Sequence, residues 1–371
     1  MTAAAAEGQA PAAEGQAPGA EGQAPGAEGP LLAVDHLVQR FSVPGGLLEA
    51  VSDVSFTIGR GATLGLVGES GSGKSSIGRA VIQLPPPTLG SVRFAGRELT
   101  TMRKAELRTA RGGIQMIFQD PVSALNPRRR VRDAVAEGPA ILGWPKDKTA
   151  GRVREMLTLV GLDPDHFGDR RPHELSGGQC QRVAIARALI VEPKVLICDE
   201  PVASLDVSVQ GQILNLLEEM RARYGLSMLF ISHDLSVVHV VSDQIGVMYL
   251  GKIVEYGDAG VITAKSAHPY TRGLLDSVPV PDPRAPLPDT KLRGEIPSPM
   301  APPSGCRFRT RCAYAQERCA AEVPVMREID TGQLVACHFP LHGEVAPSPQ
   351  RPASGQPASG QPGSPLTQGG K

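Results

Sequence analysis

The chain has 371 residues, 41% of them apolar, and its 38 basic and 38 acidic side chains leave a formal charge of zero. That balance excludes the global basic field that draws a whole protein onto nucleic acid. No run of 18 apolar residues occurs and the start has neither a basic n-region nor an apolar h-region, so a cytosolic chain is expected, whose six cysteines are not a disulfide framework.

Residues 1–30 repeat Glu-Gly-Gln-Ala-Pro at a seven-residue spacing from Glu7, Glu14 and Glu21. A Pro-, Gly- and Ala-rich repeat with few large apolar side chains buries too little surface to offset chain entropy, so it reads as a disordered tail. Residues 342–371, where Pro-Ala-Ser-Gly-Gln recurs, read the same way. Between the tails about 310 residues remain, enough for one large domain with a subdomain or two modest ones. Short strands over 31–62 and 88–100, such as Ser91-Val92-Arg93-Phe94, fit an antiparallel β subdomain.

Ala62 to Val67 reads as a buried strand and runs into Gly68-Glu69-Ser70-Gly71-Ser72-Gly73-Lys74-Ser75. Ser76 to Leu84 then has helical spacing and stops at three prolines. Strand, glycine loop and helix are the setting that the G-x-x-x-x-G-K-[ST] pattern requires, and a chance glycine turn does not account for both flanks. Glycines let backbone N–H groups converge on phosphate oxygens, and the helix presents its positive end to the same anion. Lys74 supplies a point charge to the β- and γ-phosphates, and the Ser75 hydroxyl can ligate Mg²⁺.

Residues from about 121 to 190 read as mostly helical, with apolar spacing between Val153 and Val160. The Arg128-Arg129-Arg130 run reads as a solvated patch. Val195 to Cys198 is a second apolar strand, ending in Asp199-Glu200. Carboxylates at the carboxyl end of a strand suit metal binding and water activation, so Asp199 is assigned to Mg²⁺ and Glu200 to the general base. Met228 to Ile231 is a third, delivering Ser232-His233-Asp234, and in this company His233 is expected at the γ-phosphate. Taken singly, an Asp-Glu pair or a His after a strand is more often structural.

With Leu175-Ser176-Gly177-Gly178-Gln179, ahead of a helix expected over Gln181–Val191, the set resembles the ABC ATPase family, whose signature this pentapeptide is. The resemblance covers about 31–341. It implies an α/β fold: a P-loop NTPase core with an antiparallel β subdomain, a helical signature subdomain and a small Cys-containing C-terminal extension. The nucleotide-binding domain would occupy 31–256, with its helical subdomain at about 121–190, and the extension 257–341. Carried over by position, Gly68 to Ser75 and Ser76 cradle ATP, Gln119 is the Q-loop residue that contacts Mg²⁺, and Ser204-Leu205-Asp206 is the D-loop. His233 is the switch histidine, and Phe41 is the candidate for stacking on adenine. Ser176, Gly177, Gly178 and Gln179 would close on the nucleotide of an opposing subunit, so a chain with one P-loop and one signature must dimerise. Cys180 and Val202-Ala203 depart from the family pattern without removing a reacting group.

Further stretches resemble the ATPases of oligopeptide and dipeptide importers. They are Phe118 to Pro121 followed by Ser123 to Arg128, then His268 to Leu275, Gly294 to Pro299 and Gly305 to Phe308, with Asp199 to Val202 and Val278 to Pro283 nearer the second of two paralogues. The resemblance implies a heterodimer with a paralogous ATPase, two transmembrane permeases and an external substrate-binding protein. The chain would sit peripherally on the cytoplasmic face of the cell membrane and bind no nucleic acid. Importers of nickel or opine-like solutes share this pattern; a soluble ABC ATPase usually carries tandem domains or coiled-coil insertions, which are not visible here. Cys306, Cys312, Cys319 and Cys337 are separated by five, six and seventeen residues. Four thiolates can close a zinc site or hold an iron–sulfur cluster, and the missing C-x-x-C pair counts against a zinc ribbon. The resemblance favours a [4Fe–4S] cluster, with Zn²⁺ second and four buried free thiols as the bland alternative. His338 is a weaker substitute ligand, and Cys180 and Cys198 read as core residues.

Overall fold

The computed structural model describes residues 29–278, 292 and 294–342; nearly all of the two tails and the Pro279–Pro283 part of the importer-like stretch lie outside it. β1 (Leu32–Val43) and β2 (Gly46–Ile58) form a long hairpin, followed by β3 (Thr63–Val67), β4 (Leu89–Phe94) and β5 (Arg97–Glu98). One sheet is antiparallel in the order β2-β1-β4-β5. This is the expected β subdomain, although β1 and β2 are single long strands bent by register shifts, not several short ones.

The main sheet adds β6 (Ile114–Ile117), β7 (Val195–Asp199), β8 (Ser227–Ser232) and β9 (Gln244–Tyr249) to β3. Its parallel part runs β9-β3-β8-β7-β6. β10 (Lys252–Asp258), β11 (Arg327–Asp330) and β12 (Gln333–Val335) extend it antiparallel beyond β9, so the C-terminal region shares the sheet of the core.

The parallel strands are continuous apolar runs because both faces are covered. Strand alternation sends successive side chains to two different cores. Leu196, Cys198, Met228 and Phe230 enter the core shared with the helical region, while Ile197, Leu229, Leu64 and Leu66 enter the core shared with the β subdomain. Fully burying one such Leu or Phe stabilises by about 1.5–3 kcal/mol. Gly65 within β3 has a packing reason. A Cβ there would lie 2.2 Å from a methyl of Val238, on the helix Leu235–Val241 that crosses the strand.

Residues 121–190 hold the short helices Pro121–Ala124, Val131–Val135, Glu137–Ile141 and Pro164–Phe167 and two longer ones, Lys146–Leu159 and Gly177–Leu189. Lys146–Leu159 buries Thr149, Val153, Met156 and Leu157, the face of one helical stripe.

Candidate functional site

The phosphate loop leaves β3 and ends in the helix Lys74–Val81. Gly73 has φ +105°, and a Cβ there would lie 2.2 Å from the Ala50 carbonyl of β2, so both dihedral and space require glycine. Lys74 is buried. Its Nζ donates to the carbonyls of Gly68 at 2.6 Å and Glu69 at 3.1 Å, spending on the loop donors that a phosphate could use. Burial pulls its pKa down, opposed by the charges of Glu200, Asp199 and Glu69. Ser70 and Gly71 are exposed, Ser72 is buried, and Ser75 and Ser76 are half-buried.

Three neighbouring parallel strands deliver the other polar groups, at their carboxyl ends. Asp199 ends β7, fully buried, and Oδ1 accepts a hydrogen bond from Ser75 Oγ at 2.7 Å. Its Oδ2 is buried without a partner. Burial raises the Asp199 pKa, offset in part by the Ser75 hydrogen bond and the Arg79 charge. An orphaned carboxylate oxygen beside a phosphate-loop hydroxyl suits a hard divalent cation, so the residues present fit Mg²⁺. Bound there, Mg²⁺ would neutralise charge on the phosphates.

Glu200 follows with φ +46°, a left-handed conformation that a side chain rarely adopts and that recurs at functional sites. Its N–H donates to Ile231 O of β8 at 2.9 Å, which fixes the turn. Gln119, two residues past β6, donates from Nε2 to Glu200 Oε2 at 2.9 Å. His233, just past β8, stands with Nδ1 3.6 Å from the same oxygen. Glu200, Gln119 and His233 are thus brought together around one carboxylate next to Ser75 and Lys74. A carboxylate so held can accept a proton from water, with an amide and an imidazole to orient it.

The signature residues lie apart from this cluster, toward the surface. Ser176 and Gly177 are exposed, Gly178 and Gln179 half-buried. The helix expected from Gln181 begins four residues earlier, at Gly177. Ser176 Oγ accepts from Gln179 N–H at 3.3 Å and Gln179 Oε1 accepts from Ser176 N–H at 2.9 Å, a reciprocal cap that starts the helix inside the signature. Asp206 is exposed at the start of the helix Val207–Tyr224, and its side chain makes no capping bond. Phe41 is half-buried on β1 opposite Leu48, two residues along β2 from the Ala50 carbonyl that abuts Gly73.

Residues 51–203 match the ABC transporter family, and residues 254–319 match the oligopeptide/dipeptide transporter C-terminal region. The oligopeptide transport ATP-binding protein OppF of Escherichia coli is 50% identical over 293 residues, covering 78% of this chain and 87% of that one. OppF of Haemophilus influenzae is 45% identical over 323 residues, covering 83% and 96%. The chain belongs to the ABC transporter ATP-binding family. Among solved structures, cbiO1 from Clostridium perfringens, part of the ABC transporter complex cbiONQ, is similar at TM-score 0.57 and 32% identity, covering 64% of this chain and 92% of that one. The dimeric ATP-binding cassette MJ0796, in a post-hydrolysis state bound to ADP and Pi, is similar at TM-score 0.57 and 25% identity, covering 62% and 98%.

This ABC ATPase therefore takes ATP and Mg²⁺ and hydrolyses the nucleotide. Its departures from the family pattern are benign in the fold: Cys180 is buried with its thiol 3.5 Å from Pro172 O, and Val202 is a core residue. The cluster or zinc expected at the cysteine quartet finds no support among the described residues. Cys306, Cys312, Cys319 and Cys337 do line one small cavity with His338. Yet among the described residues no group of three or more His, Cys, Asp or Glu is arranged to hold a metal ion. Burial pushes the Cys312 and Cys337 thiols up to about 12. What sequence reasoning missed is the contact between this region and the phosphate loop. Glu69 accepts both ends of the Arg311 guanidinium, and its N–H donates to the Tyr270 hydroxyl at 2.9 Å. The available signal was Arg307, Arg309 and Arg311 alternating between two cysteines.

Proposed function

We propose that this ABC ATPase powers an importer for oligopeptides or dipeptides, with Glu200 as general base, Gln119 and His233 orienting the water, and Ser75, Asp199 and Gln119 holding Mg²⁺. The observation that carries the mechanism is the convergence of Gln119 and His233 on one oxygen of Glu200, beside the Ser75–Asp199 bond. Gly68 to Ser76 bind the phosphates, and Phe41 stacks on adenine. The family match over 254–319 and the names of the relatives support peptide as the solute.

Ser176, Gly177, Gly178, Gln179 and Asp206 serve a second subunit. Support comes from the exposure of Ser176, Gly177 and Asp206 and from the positive end of the helix that starts at Gly177, which suits the γ-phosphate of a partner's ATP. ATP closes a dimer with a paralogous ATPase, and hydrolysis reopens it because only ATP binds the closed state better. The permeases dock on the helical region. A cleft of about 660 Å³ runs from Phe118 and Gln119 to Glu137, Ile141 and Arg187, and Ile141 is 62% exposed on its rim. The chain works at the cytoplasmic face beside two permeases and an external binding protein; no helix among the described residues is long and apolar enough to cross a membrane itself. The nucleotide-binding domain is assigned to 31–256, with the helical part at about 121–190, and the extension to 257–341, a boundary that falls inside β10.

The cluster or zinc at Cys306, Cys312, Cys319 and Cys337 rests on their shared cavity alone, and metal binding would require deprotonating them. Iron, zinc and acid-labile sulfide in anaerobically purified chain decide it; their absence leaves four structural thiols.

The transporter reading is tested by purifying a tagged Glu200→Gln chain from its host with ATP present. Two multi-spanning permeases and a second ATPase are expected to accompany it. A chain that brings down ribosomes, nucleic acid or nothing would overturn importer function, and a binding protein selective for nickel or opines would replace peptide.

A further inference from the structure

We infer that Arg311 is a positioning residue for ATP binding, acting through Glu69 to neutralise and fix the phosphate loop. The inference rests on the nucleotide-site reading above and adds a group from the C-terminal region to it.

Glu69 is the second residue of the phosphate loop, and a carboxylate there opposes the binding of a triphosphate. Its charge reaches the site, since it is one of the three carboxylates that act on Lys74. Arg311 meets it fork to fork, with Nη1 2.6 Å from Oε2 and Nη2 3.0 Å from Oε1. The Arg311 side chain is 5% exposed and that of Glu69 25%, so this is not a solvated surface pair. Removing one member of such a pair leaves the other charge uncompensated.

The arginine is itself held in place. Its guanidinium lies 5.8 Å over the ring of Tyr249, which packs edge-on against Tyr270 and Phe308. Tyr270 accepts the N–H of Glu69, so main chain and side chain of one loop residue are gripped from the same region. Arg307, on the same turn of chain, donates to Leu250 O and to Ser52 Oγ, and the adjoining Gly251 N–H donates to Ser72 O at 2.8 Å. The segment between Cys306 and Cys312 thus braces the loop near both ends. Planar bidentate pairing is a job for Arg and not for Lys.

The test is MgATP titration into the full-length chain, with steady-state turnover alongside. Arg311→Ala is expected to raise the Kd and KM for MgATP about tenfold, equivalent to about 1.4 kcal/mol, with kcat changed by less than about threefold. Glu69→Gln is expected to lower the Kd, because one negative charge that acts on Lys74 is removed from the phosphate loop. The double variant should return to within about threefold of the parent. A merely structural Arg311 would instead make both single changes weaken binding and leave the double variant no better than Arg311→Ala; either result overturns the inference. Should Arg311→Ala not fold, Glu69→Gln decides alone, and weaker binding there overturns it. Lys74→Ala separates the two levels: retained ATP binding in that variant would sink the nucleotide-site reading itself.

Discussion

The hydroxyl of Ser75 donates to Oδ1 of Asp199 across 2.7 Å, joining the last residue of the phosphate loop to the carboxyl end of β7. The bond spans 124 residues of sequence and leaves Asp199 Oδ2 buried without a partner. The cost of that burial is visible in the raised pKa of Asp199.

Stability and cation binding should therefore oppose each other at this residue. An acid whose folded pKa is raised binds more protons folded than unfolded, so its charge destabilises the fold as pH rises above the ordinary carboxylate range. Asp199→Asn is expected to melt higher than the parent without nucleotide at neutral pH, and to gain nothing when MgATP is added. Thermal melts with and without MgATP check both halves; a lower apo melting temperature would contradict the account.

Glu200→Gln keeps the hydrogen-bonding shape of the side chain while removing its basicity. Hydrolysis should fall by roughly 10²-fold or more with MgATP binding retained, and His233→Ala should lose activity in the same direction. Single-turnover hydrolysis beside equilibrium binding separates the two, and unchanged turnover would remove Glu200 from the role of base.

His268 predicts a pH dependence of stability. It is buried, its Nδ1 accepts from Tyr270 N–H at the start of the helix Pro269–Asp276, and Nε2 has no partner. Burial pulls its pKa down to about 3 from an ordinary 6.5. The unfolded chain binds the extra proton in that window, so stability is full above pH 6.5 and is lost as pH falls toward 3, by up to about 1.4 kcal/mol per unit. His268→Asn keeps a capping acceptor and should flatten the urea-midpoint profile between pH 6.5 and 5, where ordinary carboxylates do not titrate.

The thiols give a kinetic reading. With Cys312 and Cys337 pushed up to about 12, the thiolate fraction at pH 8 is roughly a thousandfold below that of an ordinary cysteine. Alkylation of the native, metal-stripped chain should leave both unmodified while the urea-unfolded chain reacts at once. Rapid native labelling would show that the cavity is open or the thiols ionised.

Much of the site was legible locally. Three apolar runs each ended in a polar group, and a strand, glycine loop and helix followed one another without interruption, which chain-local periodicity and glycine spacing are able to report. The start of the signature helix was misread by four residues, because glycines argue against a helix unless the reciprocal Ser176–Gln179 cap is weighed. β1 and β2 were read as several strands because register shifts interrupt their alternation.

By itself, then, the sequence determined that a phosphate loop, an Asp-Glu pair and a histidine each stand at the end of a buried strand. Tertiary structure alone decided that those ends are neighbours: the order β3-β8-β7-β6 brings Ser75, Asp199, Glu200, His233 and Gln119 within reach of one another. It alone decided that Glu69 is answered by Arg311, 242 residues away. Periodicity and turn chemistry act between near neighbours in the chain, whereas a carboxylate takes whichever cation the packing carries to it through space.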